Sequence, residues 1–264
     1  MNDQAVNSGH AAAQGAAASQ RRALVTGASR GLGRAMALAL AEAGTDVVIN
    51  DIPGLAADAA KVVAEIEALG RRAAFVPFDV TADLQVEEAV AKLEQEFGPI
   101  DILVNNAGIN RDGLMKSASK ADWDAVIGVN LSGPFNCMKA VLPRQRERGW
   151  GRIVNIASVV GRMGFIGTPY YAAAKAGLLG LTRAAAAEVA RKGVTVNAVA
   201  PGYVRTHMTD VLPDKVKAKL IESIPLGRFA EPAEIAAVVA FLASEQASYI
   251  TGAGIDINGG LWMA

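Results

Sequence analysis

From Arg22 onward the chain alternates between two textures. Short runs dense in Val and Ile ("ALVTG", "DVVIND", "AAFVPFDV", "DILVNNAG", "GRIVNIAS", "GVTVNAVAPG", "AGIDING") are separated by longer Ala/Leu/Glu/Lys stretches such as "GRAMALALAEAG" and "QVEEAVAKLEQEFG". The short runs are apolar nearly throughout rather than at every second position, the pattern of strands covered on both faces. The longer stretches repeat their apolar residues at helical spacing. Seven strands alternating with about six helices predict an α/β fold, a doubly wound domain whose seven-stranded parallel sheet is flanked by helices on both faces.

No linker or change of texture divides the rest of the chain, so one domain is expected over 21–264. The rhythm breaks at "YVRTHMTDVLPDKVKAKLIESIPLGR", about 203–228, between the sixth strand and the last helix. An insertion of that length near strand ends is expected to act as a lid. The opening "MNDQAVNSGHAAAQGAAASQ" has neither the charged start nor the apolar centre of a secretory signal, and residues 1–20 are expected to be a disordered extension. An organelle-targeting role is disfavoured, because no arginine precedes Arg21.

Composition narrows the partners. Lys+Arg and Asp+Glu both number 26, a formal net charge of zero, so nucleic acid is not an expected partner. No apolar run approaches the ~20 residues of a membrane span, and no membrane is expected. Cys137, the one cysteine, rules out an internal disulfide and suits a reduced, cytoplasmic setting. With only His10 and His207 as histidines, neither a metal site nor a Ser-His-Asp hydrolase is expected.

The first strand runs into "TGASRGLG", in which Gly27, Gly31 and Gly33 frame Ser29, Arg30 and Leu32. Glycines there let a turn tighten and a pyrophosphate approach the backbone, while the following helix start offers free N–H groups. Such turns also exist merely for packing. Asp51, at the end of the second strand, stands where an acidic group reads adenosine ribose hydroxyls. Its plainer reading is a turn opener before Ile-Pro-Gly. A 2′-phosphate beside this carboxylate would meet like charge, which favours NAD over NADP; Arg30 pulls the other way. Asp79 and Val80, after the third strand, are expected against the adenine. In "NNAG" the amides of Asn105 and Asn106 can brace strand ends, with Ala107 and Gly108 small enough for a cofactor to lie against.

"YYAAAK" places Lys175 four residues after Tyr171, on one helix face. A phenol titrates near ~10, and an adjacent ammonium is expected to lower that value toward the working range for proton transfer. Tyr170 has only Ala174 at the same spacing. Ser158 ends the strand "GRIVNIAS", so its hydroxyl is expected at the same sheet edge, able to hold a substrate oxygen; no G-x-S-x-G elbow surrounds it.

Together TGASRGLG, NNAG, Ser158, Tyr171-x-x-x-Lys175 and Pro201-Gly202 resemble the short-chain dehydrogenase/reductase family from about residue 22 onward. The resemblance implies a Rossmann domain and an NAD- or NADP-dependent oxidoreductase. It makes Tyr171 the general acid/base, Ser158 the group that polarises the carbonyl, and Lys175 the ligand of the nicotinamide ribose. Asn130, in "GVNLSG", becomes the holder of a relay water, and Val204 and Thr206, in "PGYVRT", contacts of the carboxamide. A homotetramer is likewise implied. Phrases such as "LVNNAGINRDGLM" and "YITGAGIDINGG" are similar to those of 3-oxoacyl-[acyl-carrier-protein] reductases and acetoacetyl-CoA reductases, which implies a 3-oxoacyl thioester as substrate. Arg144, Arg146, Arg148, Arg191 and Lys192 could then face an acidic carrier protein, or simply favour helix C-termini. The alternatives are an NAD-dependent dehydrogenase of another secondary alcohol or 3-hydroxyacyl-CoA, and a dinucleotide sensor without chemistry.

Overall fold

The computed structural model describes residues 20–206, 209 and 213–263, apart from Asp112. The extension expected over 1–20 therefore falls, but for Gln20, outside the described residues. Seven strands form one parallel sheet: β1 Arg22–Thr26, β2 Asp46–Asp51, β3 Ala73–Pro77, β4 Ile102–Asn105, β5 Gly151–Ile156, β6 Val194–Pro201 and β7 Gly254–Ile257. Their order is β3-β2-β1-β4-β5-β6-β7, so the chain winds outward one way from β1 and then the other way from β4. Between β1 and β4 lies the switch point, where such sheets open a crevice at their carboxyl ends.

The near-continuous apolar strands are explained by two separate cores. Ala23, Val25, Val47, Ile49, Ile102 and Val104 point to one face, under α1 Gly31–Glu42 and α2 Ala56–Ala68. Leu24, Val48, Leu103 and Ile153 point to the other, under α3 Asp83–Glu96. Alternation persists, but both faces are dry. The remaining helices among the described residues are α4 Lys120–Ile127, α5 Gly133–Arg148, α6 Val160–Met163, α7 Pro169–Val189, α8 Asp214–Glu222 and α9 Pro232–Leu242. None of the described helices is long and apolar enough to cross a membrane. Helix α8 lies in the expected lid segment, of which 207, 208 and 210–212 fall outside the described residues.

Helix α4 runs into α5 through one π-helical turn, Gly128–Ser132, a feature frequent at functional sites. Ser119 starts α4 by accepting from the Asp122 N–H at 3.0 Å. Helix α9 starts with a reciprocal Glu231/Glu234 capping box and Pro232 in its first turn.

At the start of α1 the chain passes very close to itself. Gly27 has φ 63° and Gly31 φ 56°, left-handed values that glycine tolerates. A Cβ on Gly33 would lie 2.2 Å from the Gly27 carbonyl oxygen and 2.8 Å from the Ala28 Cα, and neither backbone atom can swing aside. Gly33→Ala is expected to lower stability by roughly 1–3 kcal/mol, seen as a thermal midpoint several degrees lower. An unchanged midpoint would mean that α1 does not pack on the turn as described.

Candidate active site

The strands deliver the predicted groups to one edge. Ser158 lies two residues beyond β5, Tyr171 and Lys175 lie in the first two turns of α7, and Asn130 is the buried centre of the π turn. The Ser158 hydroxyl accepts from the Val160 N–H at 3.2 Å and lies near enough to the Tyr171 phenol to lower its pKa. Lys175 Nζ stands 5.5 Å from the centre of the Tyr171 ring and donates to the Ile156 carbonyl at 2.7 Å. Asn130 clasps the backbone of Ile109 from both sides, accepting from its N–H at 2.9 Å and donating to its carbonyl at 2.7 Å. A Cβ on Gly108 would sit 3.1 Å from Asn130 Oδ1 and 3.7 Å from Lys175 Nζ, so these residues converge. Helix α6 presses on α7 at this level: a Cβ on Gly161 would be 2.7 Å from the Lys175 carbonyl carbon.

The phenol departs from expectation. Burial raises the Tyr171 pKa above its ordinary value, and the nearby Ser158 hydroxyl only partly opposes that shift. The spacing to Lys175 is as predicted, but the lysine is buried too, and burial lowers its own pKa to about 8. An ammonium that itself gives up its proton easily is a weak anchor for a phenolate. Tyr170 is the decoy it was read to be: it is buried, accepts from the Ser119 N–H at 2.6 Å and meets Trp123 edge-on.

At the nucleotide end, Asp51 Oδ2 accepts from the Ser29 N–H at 3.2 Å and Oδ1 from the Ile52 N–H at 3.0 Å. The second bond is the turn-opening role; the first ties the carboxylate to the glycine turn. Helix α1 begins with no side-chain cap, and Arg30 is exposed at that N-cap position, with Leu32 partly buried behind it. Ser29 Oγ is buried with no hydrogen-bond partner among the described residues. Asn106 Nδ2 donates to the Thr26 and Gly27 carbonyls, both at 2.9 Å, while Thr26 Oγ1 accepts from the Asn106 and Ala107 N–H groups. The bracing role read for this amide pair is therefore what the Asn106 side chain performs.

Two expected side-chain contacts, Val80 and Val204, are placed differently, and Asp79 is exposed after β3. The Val80 side chain is buried against Gly133 in the α3/α5 core, and the Val80 carbonyl accepts from Asn136 at 2.9 Å, so adenine would not meet this side chain. Asp79 Oδ1 is used locally, by the Thr81 N–H and hydroxyl at 2.8 Å each. Val204 is buried, bridged in parallel to Ala230, and its carbonyl accepts from Thr209 at 2.9 Å. Thr206 stands partly exposed beside it, its N–H donated to Thr209 Oγ1 at 2.9 Å. Pro201 ends β6, and Gly202 is fastened to β7 by its N–H to the Ile257 carbonyl at 2.9 Å.

The basic residues offered to a carrier protein lie on the far edge. Arg144, Arg146 and Arg148 end α5, just before β5 begins, and Arg191 and Lys192 form the turn before β6. They stand at the amino ends of those strands, opposite Ser158. Arg144 also pairs with Glu94 at 3.0 Å, and Arg148 donates to the Ile100 carbonyl at 2.7 Å. Their placement is that of cations at helix C-termini.

A family model described as enoyl-(acyl carrier protein) reductase matches residues 27–262. A 3-oxoacyl-[acyl-carrier-protein] reductase, FabG, of Staphylococcus epidermidis is 47% identical over 92% of this chain and 99% of its own. Nodulation protein G of Azospirillum brasilense is 49% identical over 92% of this chain and 98% of its own. The FabG of Thermotoga maritima is 46% identical over 90% and 96%. The chain thus belongs to the short-chain dehydrogenase/reductase family, the oxidoreductases that exchange a hydride between a nicotinamide dinucleotide and a carbonyl or alcohol group.

Proposed function

We infer that the chain reduces 3-oxoacyl thioesters to 3-hydroxyacyl thioesters, with Tyr171 as proton donor and Ser158 as the hydroxyl that fixes the reacting oxygen. The observation that carries this reading is buried Lys175, its Nζ 5.5 Å from the centre of the Tyr171 ring, with the Ser158 hydroxyl beside the phenol at the carboxyl edge of the sheet. A substrate oxygen entering between the two hydroxyls would accept a hydrogen bond from each. The 46–47% identity to the two FabG proteins supports the choice of thioester. Delivery on an acyl carrier protein, assembly as a homotetramer and a cytoplasmic location belong to the same proposal.

The residues present fit a dinucleotide. Ser29 Oγ is buried without a partner, the start of α1 has no side-chain cap, and Gly27, Gly31 and Gly33 keep side chains out of the turn. Gly27, Ser29, Arg30, Gly31, Leu32 and Gly33 would cradle the phosphates, and Asp51 the adenosine ribose. Asn106, Ala107, Gly108, Pro201, Gly202 and the backbone of Val204 and Thr206 would line the crevice, with Lys175 against the second ribose. When bound, the dinucleotide supplies hydride to the substrate carbon. Tyr171 gives its proton to the oxygen, Ser158 keeps that oxygen in place, and Lys175 offers a replacement proton along the Asn130 side. A phenol whose pKa is raised keeps its proton at neutral pH, which suits an acid in reduction better than a base in oxidation.

One observation favours a second reading, NAD-linked oxidation of a secondary alcohol or 3-hydroxyacyl-CoA. The Asp51 carboxylate is held at the turn, where a 2′-phosphate would meet it.

Three outcomes are expected. Tyr171→Phe lowers turnover by about 10²–10⁴-fold while dinucleotide affinity, followed by fluorescence titration, stays within a few-fold; near-native turnover would remove Tyr171 from the chemistry. Asp51→Ala moves the NAD/NADP ratio of kcat/KM toward NADP by about tenfold, and a constant ratio would end the role given to Asp51. The third concerns Lys175, whose pKa falls from an ordinary 10.5 to about 8 on burial. Below about pH 8 the native state holds an unfavourably buried charge, at a cost of roughly 3 kcal/mol. Between that point and the ordinary value the unfolded chain binds a proton that the native state lacks, so stability rises with pH. Lys175→Met is therefore expected to abolish turnover and to remove this rise, so that the thermal midpoint of the native protein climbs relative to that of the variant between pH 7 and pH 10. Midpoints that move in parallel with pH in the two proteins would contradict the burial cost.

A further inference from the structure

Arg162 is a charge that the chemistry above does not use, and it is held more firmly than an ordinary surface arginine. It lies on α6, the short helix that follows Ser158, and its side chain is 19% exposed. Its Nε donates to Asp256 Oδ1 at 3.2 Å and its Nη2 to the Gly254 carbonyl at 2.8 Å. Gly254 and Asp256 are two residues apart on β7, so they share one face of that strand. The guanidinium lies close against the face, and a Cβ on Gly254 would run into it. The centre of the Trp262 ring lies 5.2 Å from the guanidinium carbon, and Asn258 Nδ2 holds Trp262 there through its carbonyl at 3.0 Å.

What the guanidinium fastens is the turn that carries Ser158. The Val160 N–H donates to the Ser158 hydroxyl at 3.2 Å, and the Gly161 N–H to the Ser158 carbonyl at 3.0 Å. Both donors belong to α6, a helix of four residues. So short a helix makes too few internal bonds to hold its own place, and its position must come from its neighbours. The main chain contributes the Val159 N–H to the Pro201 carbonyl at 2.9 Å. The side chain of Arg162 adds a second tie, to the next strand of the sheet. Resting on the role given to Ser158 above, we propose that Arg162 is a positioning residue, whose fork on β7 sets where the Ser158 hydroxyl meets the reacting oxygen. A planar, two-pronged cation suits the task, because it spans a carbonyl and a carboxylate at once. Misplacing a reacting group by about 1 Å costs up to about 10²-fold in rate. A pair that only strengthened the fold would instead act independently of Ser158.

The test measures kcat and KM in reduction of acetoacetyl-CoA and in oxidation of 3-hydroxybutyryl-CoA, with each dinucleotide. The full-length native enzyme is compared with Arg162→Met, Ser158→Ala and the double variant. Arg162→Met is expected to lower kcat by about tenfold and to leave the dinucleotide KM within about twofold. Ser158→Ala is expected to lower kcat by about 10²-fold. In the Ser158→Ala background, Arg162→Met is expected to cost no more than about a further twofold, because no hydroxyl remains to be placed. Losses that multiply, or a kcat for Arg162→Met within about twofold of native, overturn the positioning role. Asp256→Asn keeps an acceptor oxygen and removes the charge. It is expected to lower kcat by about threefold, again only where Ser158 is present, and it decides the question by the same comparison if Arg162→Met does not fold. Native turnover by Ser158→Ala, or a native enzyme inactive in both directions, sinks the reading on which the proposal rests. Either result is distinct from a large Ser158→Ala loss that multiplies with that of Arg162→Met, which overturns the positioning alone.

Discussion

Helix α7 is pinned to strand β5 by hydrogen bonds that cross the buried layer between them. Asn105 Nδ2 donates to Asn155 Oδ1 at 2.8 Å, Asn155 Nδ2 to Thr182 Oγ1 at 2.9 Å, and Thr182 Oγ1 to the Leu178 carbonyl at 2.7 Å. Nearer the edge, Lys175 Nζ reaches the carbonyl of Ile156, the residue after Asn155. Sliding or turning α7 by one residue would orphan these buried groups, at roughly 1–3 kcal/mol each. Dispersion contacts among Leu178, Ala186 and Val189 could be remade in a neighbouring register; these bonds could not. The distance from Tyr171 to Ser158 is thus decided deep in the core.

The parts of the fold that could be read in the chain are those where a residue type has one dominant physical use. Continuous Val/Ile runs announced strands covered on both faces, and the strand side chains do alternate between two cores. Gly27 and Gly31 were legible because left-handed backbone favours glycine, and Gly33 because only a hydrogen fits against the Gly27 carbonyl. Lys175 four residues from Tyr171 was legible because α7 is alanine-rich and uninterrupted there. The π turn around Asn130 was not: nothing in "GVNLSG" separates a widened turn from an ordinary one, and Asn130 was found through the family resemblance.

Where the reading went astray, the missing quantity was burial or direction. Val80 and Val204 stand at the right strand ends, but position along a strand does not say which way the side chain turns, and both turn inward. The arginines of α5 were correctly placed at a helix end, while the sheet edge that end belongs to follows only from the strand that comes next. For Tyr171 the charge was found and the solvent was not. Coulomb attraction follows from spacing; desolvation depends on everything packed around the ring, and here desolvation is the larger influence.

The two edges of the sheet use their polar groups differently. At the amino edge one cluster is closely knit: the guanidinium groups of Arg21 and Arg152 lie over the Trp150 ring at 3.6 and 4.4 Å, and Glu245 accepts from Trp150 Nε1 at 2.8 Å and from Arg152 at 3.2 Å, while Asp46 Oδ2 and Thr195 Oγ1 are buried without a partner among the described residues. Arg152, itself buried, also reaches the Ser244 carbonyl, so β5 is anchored there. At the carboxyl edge the polar groups surround the reacting side chains and the glycine turn. Lys175 is buried with a backbone carbonyl as its hydrogen-bond partner, Ser29 Oγ has no partner, and successive glycines hold left-handed turns. The pinned core between the two edges supplies the stability that lets such buried atoms persist, and at the carboxyl edge they stand beside the glycine turn.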